Sequence, residues 1–371
     1  MINKERILNE FIELVSIDSP SYREREMVDV LKQKLEGLGF AVLEDDAGEQ
    51  IHGNAGNIYA FLDGSLDAEP LMFCAHTDTV EPSHGKRPVI HEDGRITSSG
   101  DTILGSDDLC GVVEILEAVR HLQEEGLPHR PMEIIFTVAE EVFGKGAKAY
   151  DYEGHRIKSR EAYVMDMSGH VGTAALRAPT IIGWKAEIRG KAVHAGFAPE
   201  EGINAIASAC AAIVKLDYGK VAENTTMSIG TICGGNADNI VPDLCTVTGE
   251  VRSLDHENAC QLIDKIRKVF EENAGAAKVT FKTEEHIVAY HTPEEHSVVQ
   301  RFLRACARSG FPGEVVSTLG GSDNNVFARY GIKGIVLSCG MNKVHSTEEY
   351  TTVDDLIDGT ALVAELLTDP I

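Results

Sequence analysis

Apolar segments of the chain repeatedly end in a side chain that can bind a metal ion or carry a proton. The segment LMFCAHTDTV is apolar up to His76 and places Asp78 two residues later. Because alternate residues of a strand face the same side, both side chains can enter one cavity at the carboxyl end of a sheet, where open α/β proteins bind ligands. There an aspartate can orient a metal-bound histidine. The alternative is a hydrogen-bonded turn without metal.

Paired carboxylates occur at two further places. In ILGSDDLCG, Asp107 and Asp108 precede a helix; either is an ordinary N-cap, or the two repel each other unless a cation lies between them. In IIFTVAEEVFGKG, an apolar strand leads directly into Glu140 and Glu141. Two ionised carboxylates at the mouth of a core strand are costly without compensation. A metal ion that binds one of the two carboxylates would compensate for this cost and leave the other carboxylate free as a base. Metal-assisted hydrolysis requires this division of roles.

Two more segments follow the same pattern. Asp166 ends the short apolar strand of YVMDMSG, and His345 follows the strand IVLSCG within NKVHSTEEY. Nitrogen and carboxylate ligands without thiolate suit zinc, with cobalt or manganese as substitutes. The five ligand candidates are His76, Asp107, Glu141, Asp166 and His345.

The elements that must position these residues alternate between strand and helix. Strands are predicted at 40–44, 57–62, 70–75, 132–138 and 162–165, and helices at 5–15 and 111–125. Ser21 and Glu24 have the spacing of a capping box, which predicts a second helix that starts there and ends near Gly37 and Gly39. This alternation predicts an α/β fold with a mostly parallel sheet and helices on both faces.

The order of elements changes near Pro179. Between residues 180 and 285 the pattern is β-α-β-β-α-β, which is the ferredoxin-like arrangement. The α/β pattern then returns, with helices at 295–308, 323–330 and 353–367 and strands at 314–317 and 334–338. The sequence therefore predicts one α/β catalytic domain, 1–178 and 288–371, interrupted by an inserted α+β domain at 179–287.

Composition excludes several classes of partner. The 371 residues carry a formal net charge of -25 without a basic stretch, so nucleic acid and anionic membranes are poor partners. No apolar run approaches the roughly 20 residues that span a bilayer, and the N-terminus lacks a signal peptide's apolar core. The eight cysteines form no C-x-x-C pair. Free thiols in a cytoplasmic protein are the expectation.

The ordered motifs HTD, GSDD, AEE, MDMSG and VHSTEE resemble those of the co-catalytic zinc aminopeptidase and carboxypeptidase superfamily, in its peptidase T-like branch. The resemblance covers essentially the whole chain. It implies two zinc ions per chain, with His76 and His345 as terminal ligands of separate ions and Asp107 as the bridge. It further implies that Glu141 and Asp166 complete the two coordination shells, that Glu140 is the general base and that Asp78 clamps the imidazole of His76.

The same resemblance assigns roles to the inserted domain. It implies a lid that also forms a homodimer interface, with His194 of GKAVHAG reaching the neighbouring active site to stabilise the oxyanion. Asn239 and Arg252 are expected to bind a substrate carboxylate, for which an arginine fork is well suited. The loop GGSDNN at 320–325 is expected near the substrate backbone.

The expected activity is hydrolysis of the N-terminal peptide bond of a short peptide, as by a tripeptide aminopeptidase. A carboxypeptidase, dipeptidase or N-acyl-amino-acid deacylase would use the same chemistry. A catalytically silent metal-binding protein is a different class, and the retained Glu140 argues against it. Two departures from the family pattern bear on the pocket: Leu109, Cys110 and Gly111 replace the usual Lys-Ala-Gly, and the chain is shorter than typical peptidase T.

Overall fold

The computed structural model describes residues 2–154 and 157–371. Their contacts divide the chain into two compact units. The first contains the chain up to Arg177 together with His291–Ser317 and Ser322–Ile371, and the second contains Ala178–Tyr290 together with Thr318–Gly321. The sequence pattern did not predict that the four residues Thr318–Gly321 belong to the second unit.

The elements alternate along the chain much as predicted. The helices are α1 Lys4–Val15, α2 Arg25–Gly37, α3 Ala47–Ile51, α4 Ser106–Glu125, α5 Lys145–Ala149, α6 Ala205–Ile213, α7 His256–Asn273, α8 Ser297–Ser309, α9 Asn324–Arg329 and α10 Val353–Thr368. The strands are β1 Ala41–Glu44, β2 Ile58–Leu62, β3 Leu71–His76, β4 Pro88–Ile90, β5 Arg95–Ser98, β6 Met132–Thr137, β7 Glu161–Met167, β8 Thr173–Ala178, β9 Thr180–Arg189, β10 Gly219–Ala222, β11 Thr225–Gly234, β12 Leu244–Ser253, β13 Lys278–Ile287, β14 Tyr290–His291, β15 Glu314–Ser317, β16 Lys333–Ser338 and β17 Tyr350–Thr352.

The first unit is built on a mixed sheet in the order β1-β2-β6-β3-β7-β16-β8-β14, with β15 beside β8. Its centre, β6-β3-β7-β16, is parallel. Its flanks contain antiparallel pairs, β1 with β2, β2 with β6 and β16 with β8. The α/β prediction is therefore confirmed, with a mixed sheet whose four central strands are parallel and whose flank adds one further parallel pair, β15 with β8. A separate small sheet, β17-β5-β4, lies in the same unit.

Burial explains why the central strands read as continuous apolar runs. Every residue of β3 and of β6 is buried, as expected for strands that helices cover on both faces. Helices α1 and α4 pack together, and α10 packs against both α4 and α8. The strands thus form a rigid support whose carboxyl ends present the predicted side chains.

The predicted capping box before α2 is wrong. The N-cap of α2 is Glu24 and makes no side-chain capping bond. Ser21 donates instead to Asp78 Oδ2 at 2.6 Å, and Glu24 Oε1 accepts from the backbone N–H groups of Tyr22 and Ala139. Both side chains therefore bind residues of the candidate site or its neighbouring loops and do not cap the helix.

The second unit is an antiparallel sheet in the order β10-β11-β12-β9-β13. Apart from the added strand β10, this is the ferredoxin-like strand order. One face of β9, which includes Trp184, Ala186 and Ile188, packs with α6 and α7 to form a core of its own. No helix in the described parts of the chain combines the length and apolar character that a membrane-spanning helix needs.

Candidate active site

His76 ends β3 and is almost completely buried. Its Nε2 atom lies 3.0 Å from Asp107 Oδ1. Its Nδ1 atom lies 2.9 Å from the backbone carbonyl of Asp78 and 3.6 Å from Oδ1 of that residue's carboxylate. The ring is therefore oriented through the carbonyl oxygen of Asp78, where the sequence suggested its carboxylate.

The carboxylate of Asp78 holds the loop that follows β6. It accepts the backbone N–H of Glu140 at 2.9 Å and that of Glu141 at 3.2 Å. The two preceding N–H groups also bind side chains from distant elements, Val138 to Asn57 Oδ1 and Ala139 to Glu24 Oε1. Since Ala139 has a φ of 52°, these four bonds fix a backbone that makes no regular secondary structure.

Asp107 lies at the start of α4, where the backbone of Asp107 and Asp108 is not helical. The two oxygens of Asp107 face different histidines. Oδ1 is 3.0 Å from His76 Nε2, and Oδ2 is 3.2 Å from His345 Nε2. The neighbouring Asp108 has another partner, because its Oδ2 accepts the backbone N–H of His76 at 3.1 Å. The paired carboxylates thus divide into one that faces the site and one that supports it.

The seven predicted site residues of the first unit come together, with Asp78 beside His76 as described above. His345, in a left-handed conformation at φ 59°, places Nε2 3.0 Å from Glu141 Oε2. Potential ligand atoms lie within 4.8 Å of one another in two groups that share His76. The groups are His76 with Asp107 and Glu141, and His76 with Glu140 and Asp166. Glu140, expected as the base, therefore lies close enough to His76 and Asp166 to be considered a ligand as well.

The electrostatics of this cluster fit a divalent cation. Burial raises the pKa of Glu140 and of Asp166 well above their ordinary values, since the charged form loses water and faces other carboxylates. Burial alone would also raise the pKa of Asp107, but its hydrogen bonds with His345 and His76 hold it low. Hydrogen bonds to Asp107 and Glu141 raise the pKa of His345 to about 10. Carboxylates and imidazoles gathered in this way form a donor set that suits zinc.

The predicted substrate contacts lie in the second unit. His194 is exposed, stacks on Phe197 with ring centroids 4.1 Å apart, and accepts the Gly196 N–H at Nδ1. The carbonyl of Asn239 accepts the N–H of Ala195, so it steadies the same loop.

Arg252 is already engaged within the second unit. Its Nε and Nη2 atoms bind Glu250, and Nη1 donates to the carbonyl of Leu319 at 2.9 Å. The guanidinium therefore anchors Thr318–Gly321. To bind a substrate carboxylate it would have to exchange some of these bonds.

Sequence patterns did not predict this role for three side chains that hold the site's backbone, and Glu24 was predicted to cap a helix instead. Glu24, Asn57 and Glu349 are fully or almost fully buried and bind main-chain N–H groups of the two loops that carry Asp107, Glu140 and Glu141. Glu349 stood inside the quoted motif VHSTEE, which was the one available signal.

Comparison with known proteins gives the same picture. The chain matches the family model of the peptidase dimerisation domain over residues 178–278 and that of peptidase family M28 over residues 57–217. It is 37% identical over 371 residues to protein YqjE of Bacillus subtilis, with 100% of this chain and 99% of that protein covered.

Two crystal structures resemble the whole chain. A tripeptidase from Staphylococcus aureus is 33% identical with a TM-score of 0.95, and an aminopeptidase PepT from Bacillus cereus is 37% identical with a TM-score of 0.91. Each comparison covers 99% of this chain and 98% of the other. Sequence, fold and the gathered candidate ligand side chains agree: the chain belongs to the peptidase T-like branch of the zinc peptidase superfamily and is a metal-dependent exopeptidase.

Proposed function

We propose that the protein is a two-zinc aminopeptidase that removes the N-terminal residue of short peptides such as tripeptides. The observation that carries this proposal is the position of Asp107, whose two oxygens face His76 and His345 at 3.0 and 3.2 Å. A carboxylate between two terminal histidines is the arrangement that a pair of bridged cations requires. The tripeptidase and aminopeptidase structures that match the full chain support the choice of substrate.

The assignment of ligands to the two ions is taken from the family resemblance and is supported by the short distances within the cluster. His76 and Asp166 would bind one ion, His345 and Glu141 the other, and Asp107 would bridge them. Zinc is the proposed metal, with Co²⁺ or Mn²⁺ as substitutes. When bound, such a pair lowers the pKa of a water molecule and polarises the carbonyl of the scissile bond.

Glu140 would carry the proton during hydrolysis. Its carboxylate takes a proton from the attacking water and returns it to the amine nitrogen that leaves. The backbone N–H of Glu140 is fixed by Asp78, so the base is held in place from outside its own loop.

A depression beside Glu141 supports cleavage from the amino end. It has a volume of about 800 Å³, and its charged lining consists of the carboxylates of Asp18, Glu81 and Glu141 against one arginine, Arg23, together with His84. An acidic lining next to the site suits the free ammonium group of a peptide better than it suits a blocked amine or a terminal carboxylate. This observation favours an aminopeptidase over a carboxypeptidase or a deacylase.

The second unit would form a homodimer. Strand β10 pairs only with residues 225–227 of β11, and within the described chain residues 228–234 have β12 as their sole strand partner. Ile232 is 51% exposed there. An open edge of this kind suits pairing with the same edge of a second copy.

His194 would act across this dimer. Because Nδ1 accepts the Gly196 N–H, a neutral ring carries its proton on Nε2 and can donate it to an oxyanion.

The eight free cysteines fit a reducing, cytoplasmic location.

The test measures metal content and hydrolysis of three tripeptides: unblocked, N-acetylated and C-amidated. About two zinc ions per chain, together with cleavage of the unblocked and amidated peptides that is lost on chelation and restored by zinc, is the expected outcome. Preference for the N-acetylated peptide would move the function to the deacylases. Failure to bind metal after reloading would contradict the proposal as a whole.

A further inference from the structure

Glu349 lies four residues after His345 and directly before β17. It is 1% exposed, and its carboxylate makes four hydrogen bonds to one short segment of chain. Oε2 accepts the N–H groups of Leu104 and Gly105 at 2.7 and 2.8 Å. Oε1 accepts the hydroxyl of Ser106 at 2.6 Å and the N–H of Asp107 at 3.0 Å.

The segment 104–107 depends on these bonds because it joins a loop to the irregular first residues of α4. Gly105 has a φ of 83°, and Asp107 departs from helical geometry with φ -85° and ψ 102°. The first N–H groups of a helix have no partner within the helix. Glu349 accepts the N–H groups of three of these four residues and the side-chain hydroxyl of the fourth, Ser106. The last of these residues is Asp107, which faces both histidines.

The backbone of Glu349 is itself fixed beside His345. Its N–H donates to the carbonyl of Ser346 at 3.1 Å, and the next residue, Tyr350, pairs with Thr97 in the small sheet. One side chain therefore joins the turn that carries His345 to the loop that carries Asp107. Across this connection, His345 Nε2 and Asp107 Oδ2 lie 3.2 Å apart.

We infer that Glu349 is a positioning residue, which fixes the carboxylate of Asp107 relative to His345 and thereby sets the affinity of the site for its metal ions. The inference rests on the proposed two-metal function. Side chains that orient ligands without touching the metal typically change metal affinity or activity by about 10–100-fold when they are altered.

The decisive variant is Glu349→Gln. Glutamine has the same shape, but its NH₂ group would confront N–H donors at one of the two oxygen positions and break that half of the network. Its neighbour provides a matched control, since Glu348 is exposed and its carboxylate forms an ion pair with Lys343 at 2.7 Å. Zinc affinity would be measured by competition with a chromophoric chelator, at a temperature where apo protein melting curves show each variant to be folded.

The expected result is a zinc affinity about 10–100-fold weaker in Glu349→Gln, with an altered visible absorption spectrum when Co²⁺ replaces zinc. Glu348→Gln should match the wild type in both. A merely structural role would lower the melting temperature and leave the affinity and the Co²⁺ spectrum of the folded protein unchanged, and that outcome would overturn the inference.

A second variant covers the case in which Glu349→Gln does not fold. Ser106→Ala removes one of the four donors, and a weaker zinc affinity than that of the wild type is expected, whereas an unchanged affinity would contradict the inference. Zinc binding is measured without a peptide. If the proposed function is wrong, the wild-type protein will bind zinc but cleave no peptide. If this inference is wrong, the Glu349 and Ser106 variants will bind zinc as tightly as the wild type.

Discussion

Glu140 and Glu141 are adjacent in the chain but have different partners. Glu141 lies 3.0 Å from His345, whereas Glu140 lies near His76 and Asp166. If Glu140 is the base, Glu140→Gln should lower kcat by about 100–10,000-fold while both metal ions stay bound. Elemental analysis beside the rate of tripeptide hydrolysis checks this.

The contrasting variant is Asp107→Ala, which removes the carboxylate between the two histidines. It should lose metal as well as activity, and alteration of the exposed Asp101 to alanine should cost neither. If Glu140→Gln lost as much metal as Asp107→Ala, Glu140 would be a ligand together with His76 and Asp166, and another group would have to serve as the base.

Residue types near strand ends indicated most of the cluster. His76 ends β3, Asp166 lies near the end of β7, and the two glutamates follow β6. The carboxyl ends of these parallel strands meet at one edge of the sheet. The supporting contacts were not predictable in this way. Glu24 reaches Ala139 across 115 positions and Glu349 reaches Leu104 across 245, and no local spacing records such pairings.

At the scale of elements, the contact between α4 and α10 depends on a glycine. Gly359 of α10 packs against the buried carboxyl group of Glu114 in α4, so that an added Cβ would overlap it. Alanine gains about 1 kcal/mol of helix propensity over glycine, but overpacking costs about 1–3 kcal/mol. We expect Gly359→Ala to lower the free energy of unfolding by up to about 2 kcal/mol, measured by urea denaturation of the metal-free protein.

Gly37 provides the control for this substitution. It is the last residue of α2 and has no atom within 4 Å of an added Cβ. Gly37→Ala should leave the stability unchanged or slightly raised. Equal destabilisation by both variants would show that packing against Glu114 is not the cause.

The carboxylate of Asp369 ties the C-terminal segment to α8. It lies 3.0 Å from Arg304 Nε and 3.1 Å from Arg308 Nη1. Burial alone would raise the pKa of Asp369, but hydrogen bonds from Arg304, Arg308 and the Ile371 N–H lower it to about 2. A lowered folded-state pKa stabilises the protein fully above the unfolded value of about 3.8, and this contribution is lost as the pH falls towards 2.

Asp369→Asn removes the negative charge that pairs with the two arginines and should therefore destabilise the protein at pH 7. The expected loss is only about 1–2 kcal/mol, because solvent screens the partly exposed arginines. The difference from the wild type should shrink between pH 4 and about pH 2. Urea denaturation of the metal-free protein across this range is the measurement. Asp354→Asn, at an 89% exposed side chain, should show no such pH dependence, and a constant difference for Asp369→Asn would refute the ion-pair explanation.

Element prediction succeeded where burial produced a clear pattern. The runs that became β3, β6 and β16 were continuous and apolar, and their predicted ends agree with the observed ones within a residue or two. The small sheet was missed. Its strands have three or four residues, and β17 pairs Tyr350–Thr352 with residues 95–97. Such pairing is decided by tertiary contacts, since strands this short carry almost no periodicity.

At the scale of the whole molecule, the proposed dimer makes each active site depend on two chains. If His194 acts on the partner's site, a protomer with Glu140→Gln can still lend its His194, and a protomer with His194→Ala can still use its Glu140. A heterodimer of the two variants would then contain one complete site. It can be isolated by giving the two chains different affinity tags and purifying on each tag in turn.

The heterodimer should have about half the activity of the wild-type dimer, since one of two equivalent sites is complete, whereas each variant homodimer should be nearly inactive. A heterodimer of wild type and Glu140→Gln sets the scale, because it contains one working site whichever protomer supplies His194. If His194 acted within its own chain, the mixed dimer would have no complete site and would be as inactive as the homodimers. Failure to recover any protein carrying both tags would instead reject the dimer, and with it a shared active site.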